Sequence, residues 1–223
     1  MRVVATREQG SNDTLTSWLP EDATVVEVPL TTTRFYDGQE VLSTLRASDH
    51  YGTFRSLVVT SARSALYVAL AREGLRDGGT VLSVGSATAK ALESEDVDVD
   101  VVGEGGALDL APTITEGPVL LLGAATMRDE LTSALTNRGV DVTTLACYET
   151  LPAELTPEDE TLLREADVIF IGAPSAWLVA KSFVSDAALV VVPGATTSDA
   201  VRRDHQRVIE GWGPELREHL DAL

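Results

Sequence analysis

The chain repeats itself at an offset of about half its length, and each copy sets a short turn of small or hydroxyl-bearing residues between a buried strand and a helix. Leu57-Val-Val-Thr-Ser-Ala-Arg-Ser-Ala-Leu66 matches Val168-Ile-Phe-Ile-Gly-Ala-Pro-Ser-Ala-Trp177, and Val81-Leu-Ser-Val-Gly-Ser-Ala-Thr-Ala-Lys90 matches Val190-Val-Val-Pro-Gly-Ala-Thr-Thr-Ser-Asp199. A third pair, Leu15-Thr-Ser-Trp-Leu19 and Leu131-Thr-Ser-Ala-Leu135, follows an apolar segment in each half, at Val3 to Ala5 and at Val119 to Leu122. Two copies with so long a period exclude a solenoid and point to a duplicated α/β unit. Strand-turn-helix junctions aim backbone N–H groups outward, so the duplicated set suggests two domains facing one anionic ligand.

At 223 residues the chain has room for two domains of roughly 100 residues each. Short apolar runs rich in Val, Leu and Ile indicate strands buried on both faces of parallel sheets. They are expected near 2–6, 24–29, 56–60, 80–84, 97–102, 118–122, 140–148, 167–171, 188–192 and 206–209. Helices fall between them. Asn12 or Asp13 caps one running to Leu19, Gly74 and Gly139 stop two others, and Thr156-Pro-Glu-Asp-Glu160 starts a fourth. The segments Thr31 to Tyr36 and Glu149 to Ala153 read as crossovers that take the chain out of one domain and back. The expected fold class is therefore α/β, with two parallel-sheet, flavodoxin-like domains. Residues 1–33 plus 151–223 form a discontinuous first domain, 37–147 a second, and 34–36 with 148–150 a two-stranded hinge.

Composition narrows the function classes. The formal charge is −18, with 35 acidic residues against 17 basic ones, of which only Lys90 and Lys181 are lysines. A broad basic face for nucleic acid is disfavoured. The same balance resembles proteins adapted to high salt, where screening over about 3 Å at 1 M makes self-repulsion tolerable. No apolar run reaches the roughly 20 residues that span a bilayer, and the sequence opens on a strand instead of a signal peptide, so a cytoplasmic protein without membrane contact is expected. The single cysteine, Cys147, allows no internal disulfide, and His50, His205 and His219 lack ligand spacing, so no metal is expected. A dinucleotide fingerprint is absent, so no cofactor is expected either.

The candidate chemistry lies at the repeated junctions. Thr60, Ser61 and Arg63 together read as a carboxylate or phosphate seat, and equally as an ordinary helix cap. Gly85, Ser86 and Thr88 bring backbone and a hydroxyl to the next helix start, with Ser175 and Thr197 as counterparts in the second half. Arg7 and Arg128 hold roughly matching places in the two repeats and suit bidentate carboxylate recognition; each also reads as a surface arginine. Tyr148 ends a long strand at the return crossover. Its phenol is either a neutral proton donor or simply a ring that anchors the linker.

Taken in order, Ala5-Thr-Arg7, Thr60-Ser-Ala-Arg-Ser-Ala65, Val84-Gly-Ser-Ala-Thr-Ala89, Arg128-Asp-Glu-Leu131, Cys147-Tyr-Glu-Thr150, Ala173-Pro-Ser175 and Gly194-Ala-Thr-Thr197 resemble the uroporphyrinogen-III synthase family of tetrapyrrole biosynthesis. The resemblance runs over nearly the whole chain. It implies two α/β domains on a two-stranded linker and an enzyme without cofactor or metal. The implied reaction takes linear hydroxymethylbilane, expels its terminal hydroxyl as water, inverts the last pyrrole ring through a spiro intermediate and closes the macrocycle. By the same resemblance Tyr148 assists departure of the hydroxyl, while the hydroxyls and arginines above hold the substrate's eight carboxylates. The sequence departs from the family pattern at Gly172-Ala-Pro-Ser175 and at Gly123-Ala-Ala-Thr-Met127. The expected form is a monomer; the competing expectation is a non-catalytic, hinged two-domain binding or regulatory protein.

Overall fold

The computed structural model describes residues 1–7, 19–104, 106–211, 216 and 220. It divides the chain into two compact units, one of Met1–Thr32 with Thr150–Leu223 and one of Thr33–Glu149. The helix expected from Asn12 or Asp13 and the residue His219 lie outside the described residues.

The first unit is built on β1 (Arg2–Ala5), β2 (Thr24–Glu27), β9 (Val168–Phe170), β10 (Leu189–Val192) and β11 (Val208–Glu210), in the order β2-β1-β9-β10-β11 with all pairs parallel. Because strand side chains alternate, Val4, Ile169, Val190 and Val192 enter one apolar cluster, while Val3, Val168, Phe170, Leu189 and Val191 enter the other. Both faces are thus covered, as the unbroken apolar runs predict. Burying each such Val or Leu stabilises by about 1.5–3 kcal/mol before chain entropy is counted.

The second unit uses β4 (Phe54–Val59), β5 (Leu75–Ser83), β6 (Val101–Val102), β7 (Val119–Ala124) and β8 (Val142–Pro152), in the order β8-β7-β4-β5-β6, again with parallel pairs. Leu57, Val59, Leu120 and Leu122 face one cluster, and Val58, Val119 and Leu121 face the other. If β7 and β8 are taken as the unit's first two strands, its order is the same as that of the first unit. The duplication and the compact units are therefore out of phase: each repeat begins in one unit and ends in the other.

Two features depart from the sequence expectation. Thr31–Phe35 is a strand, β3, at the edge of the second sheet beside β8. The Ala153 N–H donates to Leu30 O and the Tyr36 N–H to Cys147 O, so partner numbers fall as the chain rises and the pair is antiparallel. An Arg34–Glu149 ion pair joins the same two strands. The two-stranded hinge was expected only at 34–36 with 148–150; the polar run Thr31-Thr-Thr-Arg34 hid the rest of this strand, since an exposed edge needs β-branched residues but no apolar face. The strand expected to stop at Tyr148 continues to Pro152 because β3 pairs with it.

The helices follow local rules. Asp37 caps α1 (Gly38–Arg46) by accepting from the Gln39 and Glu40 N–H groups. After Ser61 the chain makes a 3₁₀ turn, Ala62–Tyr67, that runs into the short α2 (Val68–Ala71). Then come α3 (Ser86–Glu93), α4 (Ala107–Leu110) and α5 (Glu130–Thr136). Gly139 stands at φ 77° just beyond α5, the left-handed stop expected of it. In the first unit, α6 (Pro157–Arg164) opens with a capping box between Thr156 and Asp159, followed by α7 (Pro174–Ala180) and α8 (Ala195–Val201).

Candidate functional site

In a doubly wound sheet the connections diverge at one point, and the crevice there opens at the carboxyl ends of the strands. In the second unit that point lies between β4 and β7, and a cavity of 430 Å³ opens there. Thr60 and Ser61 border it from the end of β4, Ala124, Thr126, Met127 and Arg128 from the end of β7, Glu130 and Leu131 from α5, and Tyr148 from β8. Four of the residues singled out in the sequence, Thr60, Ser61, Arg128 and Tyr148, thus share one cavity.

Tyr148 directly follows a β-bulge. The β7–β8 register pairs Gly123 with Ala146 but Ala124 with Tyr148, which leaves Cys147 as the inserted residue. Consecutive strand residues ordinarily face opposite ways, yet Cys147 and Tyr148 join the same apolar cluster. The Tyr148 ring is buried, 6.1 Å from the Phe35 ring, with the Arg63 guanidinium 6.0 Å from its centroid. Its hydroxyl has no hydrogen bond to a described residue, which leaves it available to a molecule in the cavity.

The two hydroxyls at the end of β4 are held differently. Thr60 Oγ1 donates to Leu122 O at 3.0 Å, and Met127 Sδ lies 3.6 Å from it. Ser61 is the N-cap of the following turn, its Oγ accepting from the Arg63 N–H at 3.3 Å. Gly123 makes this packing possible: a Cβ there would run into Thr60 Oγ1 and stand 2.5 Å from Met127 Sδ. Beneath the site the Cys147 thiol donates to Gly123 O at 3.3 Å, and burial raises its pKa. Burial likewise raises that of Tyr67, whose hydroxyl donates to Tyr36 O.

The remaining candidates are placed as follows. Gly85 is the N-cap of α3, Ser86 is exposed on its first turn, and Thr88 is buried in that turn. In the first unit, Gly194 and Thr197 repeat this arrangement at α8, with Thr197 equally buried. Ser175 is exposed on the first turn of α7, behind the N-cap Ala173. Ala173 therefore corresponds to Ser61 and Gly172 to Thr60. Arg7 lies along Gly172, where a Cβ would come within 3.7 Å of its Cγ and Nε. Arg7 directly follows Thr6, the first residue beyond β1, whereas Arg128 lies four residues past β7, so the two arginines do not occupy one place in the repeat.

Sequence reasoning missed Gly123, Met127 and Glu130. Gly123 carried a signal, since it directly follows the apolar run Val119 to Leu122 where a β-strand meets its turn. Among the described residues, no group of three His, Cys, Asp or Glu side chains is placed to hold a metal ion, and no helix is long and apolar enough to cross a membrane.

Two doubly wound α/β units, with a cavity at the switch point of one, define a protein built to handle a small molecule. The family model described as uroporphyrinogen-III synthase HemD matches residues 20–210, and the chain belongs to that family, whose members are cyclising hydro-lyases of tetrapyrrole biosynthesis. Among solved structures, uroporphyrinogen-III synthetase from Helicobacter pylori is similar at a TM-score of 0.68 and 17% identity, over 100% of this chain and 99% of that one. A mutant uroporphyrinogen III synthase from Thermus thermophilus is similar at 0.63 and 20%, over 98% and 96%. At such identities the likeness shows the fold. No curated protein matches this chain in sequence.

Proposed function

We propose that the cavity at the β4–β7 switch point is where this chain carries out the family's cyclisation, with Tyr148 as the proton donor. The observation that supports this most is Tyr148 itself: just past a bulge and buried, it lines a cavity shared with Thr60, Ser61 and Arg128, and its hydroxyl has no hydrogen bond to a described residue. A phenol suits the step. As the pyrrole nitrogen's electron pair drives out the terminal hydroxyl of hydroxymethylbilane, the C–O bond breaks and the phenol proton completes the departing water. The resulting carbocation-like terminus is attacked by the last ring to give the spiro intermediate. The spiro carbon's bond to the methylene of the preceding ring then breaks, that methylene bonds the free α-carbon of the last ring, and the proton this carbon loses returns to the phenolate, so Tyr148 ends as it began.

The other residues act by holding the substrate. Arg128 at the cavity rim and Arg63 beside the Tyr148 ring bind carboxylate arms, as does Ser86 on the first turn of α3. Arg7 and Ser175 offer the same chemistry in the first unit, and the buried Thr88 and Thr197 lie in the first turns of their helices. Much of the rate then comes from confining a flexible chain near its closing geometry. We further propose that the chain works as a monomer in the cytoplasm, since the cavity is lined by one unit's own residues and a lone cysteine suits a reducing compartment.

Freshly prepared hydroxymethylbilane supplied to the protein, with the porphyrinogen isomers oxidised and separated, tests the activity. Isomer III is expected; isomer I alone, the spontaneous product, would overturn the reading. A single sedimentation species of one chain's mass checks the monomer.

A further inference from the structure

We infer that Thr60 and Ser61, adjacent in the chain, present opposite hydrogen-bonding polarity to the cavity, so that Thr60 accepts from a pyrrole N–H while Ser61 donates to a carboxylate arm of the same ring. This rests on the assignment of the cavity above and deepens it by saying which edge of the substrate goes where.

A hydroxyl has one proton and two lone pairs. The Thr60 proton is engaged on Leu122 O at 3.0 Å, with Met127 Sδ 3.6 Å away. The close packing over Gly123 holds the side chain in that orientation. Its lone pairs are what remain for a ligand. Ser61 is the reverse case: an oxygen lone pair is engaged by the Arg63 N–H at 3.3 Å, which leaves the proton available. Both residues border the cavity. Glu130, which also lines it, adds a second acceptor. A pure carboxylate seat would need donors throughout. A ring that offers N–H on one edge and carboxylates on the other fits this sorted pair.

The two hydroxyls separate experimentally. Pyrrole-3-propionic acid and furan-3-propionic acid differ at the ring heteroatom, where the furan replaces the N–H donor by an acceptor. Titrated into the full chain and followed by NMR, the pyrrole acid is expected to bind more tightly than the furan acid. Thr60→Val should remove that preference, weakening the pyrrole acid roughly tenfold and leaving the furan acid nearly unchanged. Leu122 O keeps the Thr60 N–H as a partner in that variant, so no carbonyl is orphaned. Thr60→Ser should restore the preference, and Ser61→Ala should weaken both acids alike. In the wild type, the N–H proton of the ¹⁵N-labelled pyrrole acid should move downfield on binding.

Equal binding of the two acids, equal losses in Thr60→Val, no downfield shift, or no binding of either acid would each overturn the inference. Formation of isomer III by the wild type despite such a result would show that this inference had failed while the assigned activity stood. Absence of isomer III would be the failure of the activity itself.

Discussion

The switch points of the two units share a topology and differ in one exchange. In the second unit Thr60 directly follows the central strand β4, and glycine, at Gly123, is the last residue but one of its neighbour β7; in the first unit the glycine is Gly172, two residues past the central strand β9, and Arg7 stands two residues past its neighbour β1. Each pair has one side chain lying where the other residue has none. The duplicated fold thus needs a small residue somewhere at the divergence of its strands but leaves free which strand carries it. That freedom lets one unit place a neutral hydroxyl at its crevice and the other a cation. By contrast, the junctions at Gly85 and Gly194 are alike, each followed by an exposed residue and, three positions on, by a buried threonine.

The sharpest way to break this comparison is to add a methyl group at each glycine. Gly123→Ala forces Thr60 or Met127 to move, and overpacking of this kind costs about 1–3 kcal/mol. Gly172→Ala meets Arg7 only at ordinary contact distance, and a change within about 0.5 kcal/mol is expected. Urea unfolding of both variants checks the pair, and equal losses would erase the asymmetry. Activity should fall in Gly123→Ala even where the protein is folded, because Thr60 and Met127 border the cavity.

The caps should give a smaller effect of opposite sign in the two units. Ser61→Ala removes a side-chain cap and should cost about 1 kcal/mol, whereas Ala173→Ser supplies one at the matching, extended residue and should stabilise by up to about 1 kcal/mol. Thermal unfolding reads both; a destabilising Ala173→Ser would mean that the two turns are not equivalent.

The pH dependence is the smallest effect and should also split between the units. In the second unit, burial raises the pKa of Cys147 and Tyr67. Each holds its proton more firmly folded than unfolded, so their stabilisation is complete below the unfolded value and is lost as pH rises. For the thiol this begins above about pH 8.5. In the first unit the hydrogen bonds from Lys181, then Trp177, hold Asp204 below the usual carboxylate range, and its exposed contribution is lost as pH falls below about 4. Denaturation midpoints across pH check the signs. Cys147→Ala should flatten part of the alkaline limb, and Asp204→Asn part of the acid limb.

Much of this was legible in the chain because buried parallel strands announce themselves as apolar runs. The signal is plain in Val119-Leu-Leu-Leu122 and Leu189-Val-Val-Val192, each of which became a buried strand. The cap at Thr156 and the stop at Gly139 were equally plain, since both depend on local chemistry. β3 was legible only as the hinge at 34–36 and not from Thr31, because its stability comes from pairing with β8 and not from its own side chains. The bulge at Cys147 was also invisible: Ala-Cys-Tyr-Glu reads as a regular strand, and only the register against β7 shows the extra residue. The sequence therefore located Tyr148 but could not say which way it faced. Thr60 and Ser61 were found together and assigned one role, since their differing partners, Leu122 O and the Arg63 N–H, belong to tertiary structure and to a local cap respectively.

The central claim is that the Tyr148 phenol gives its proton to the departing hydroxyl. Single-turnover formation of isomer III by Tyr148→Phe, at matched circular dichroism and unfolding midpoint, tests it most directly. The ring and its packing persist in that variant while the proton donor is gone. General-acid groups contribute about 10²–10⁴-fold, and because an electron-rich pyrrole assists the expulsion, a fall of at least about tenfold is expected. A rate equal to that of the wild type would contradict the account.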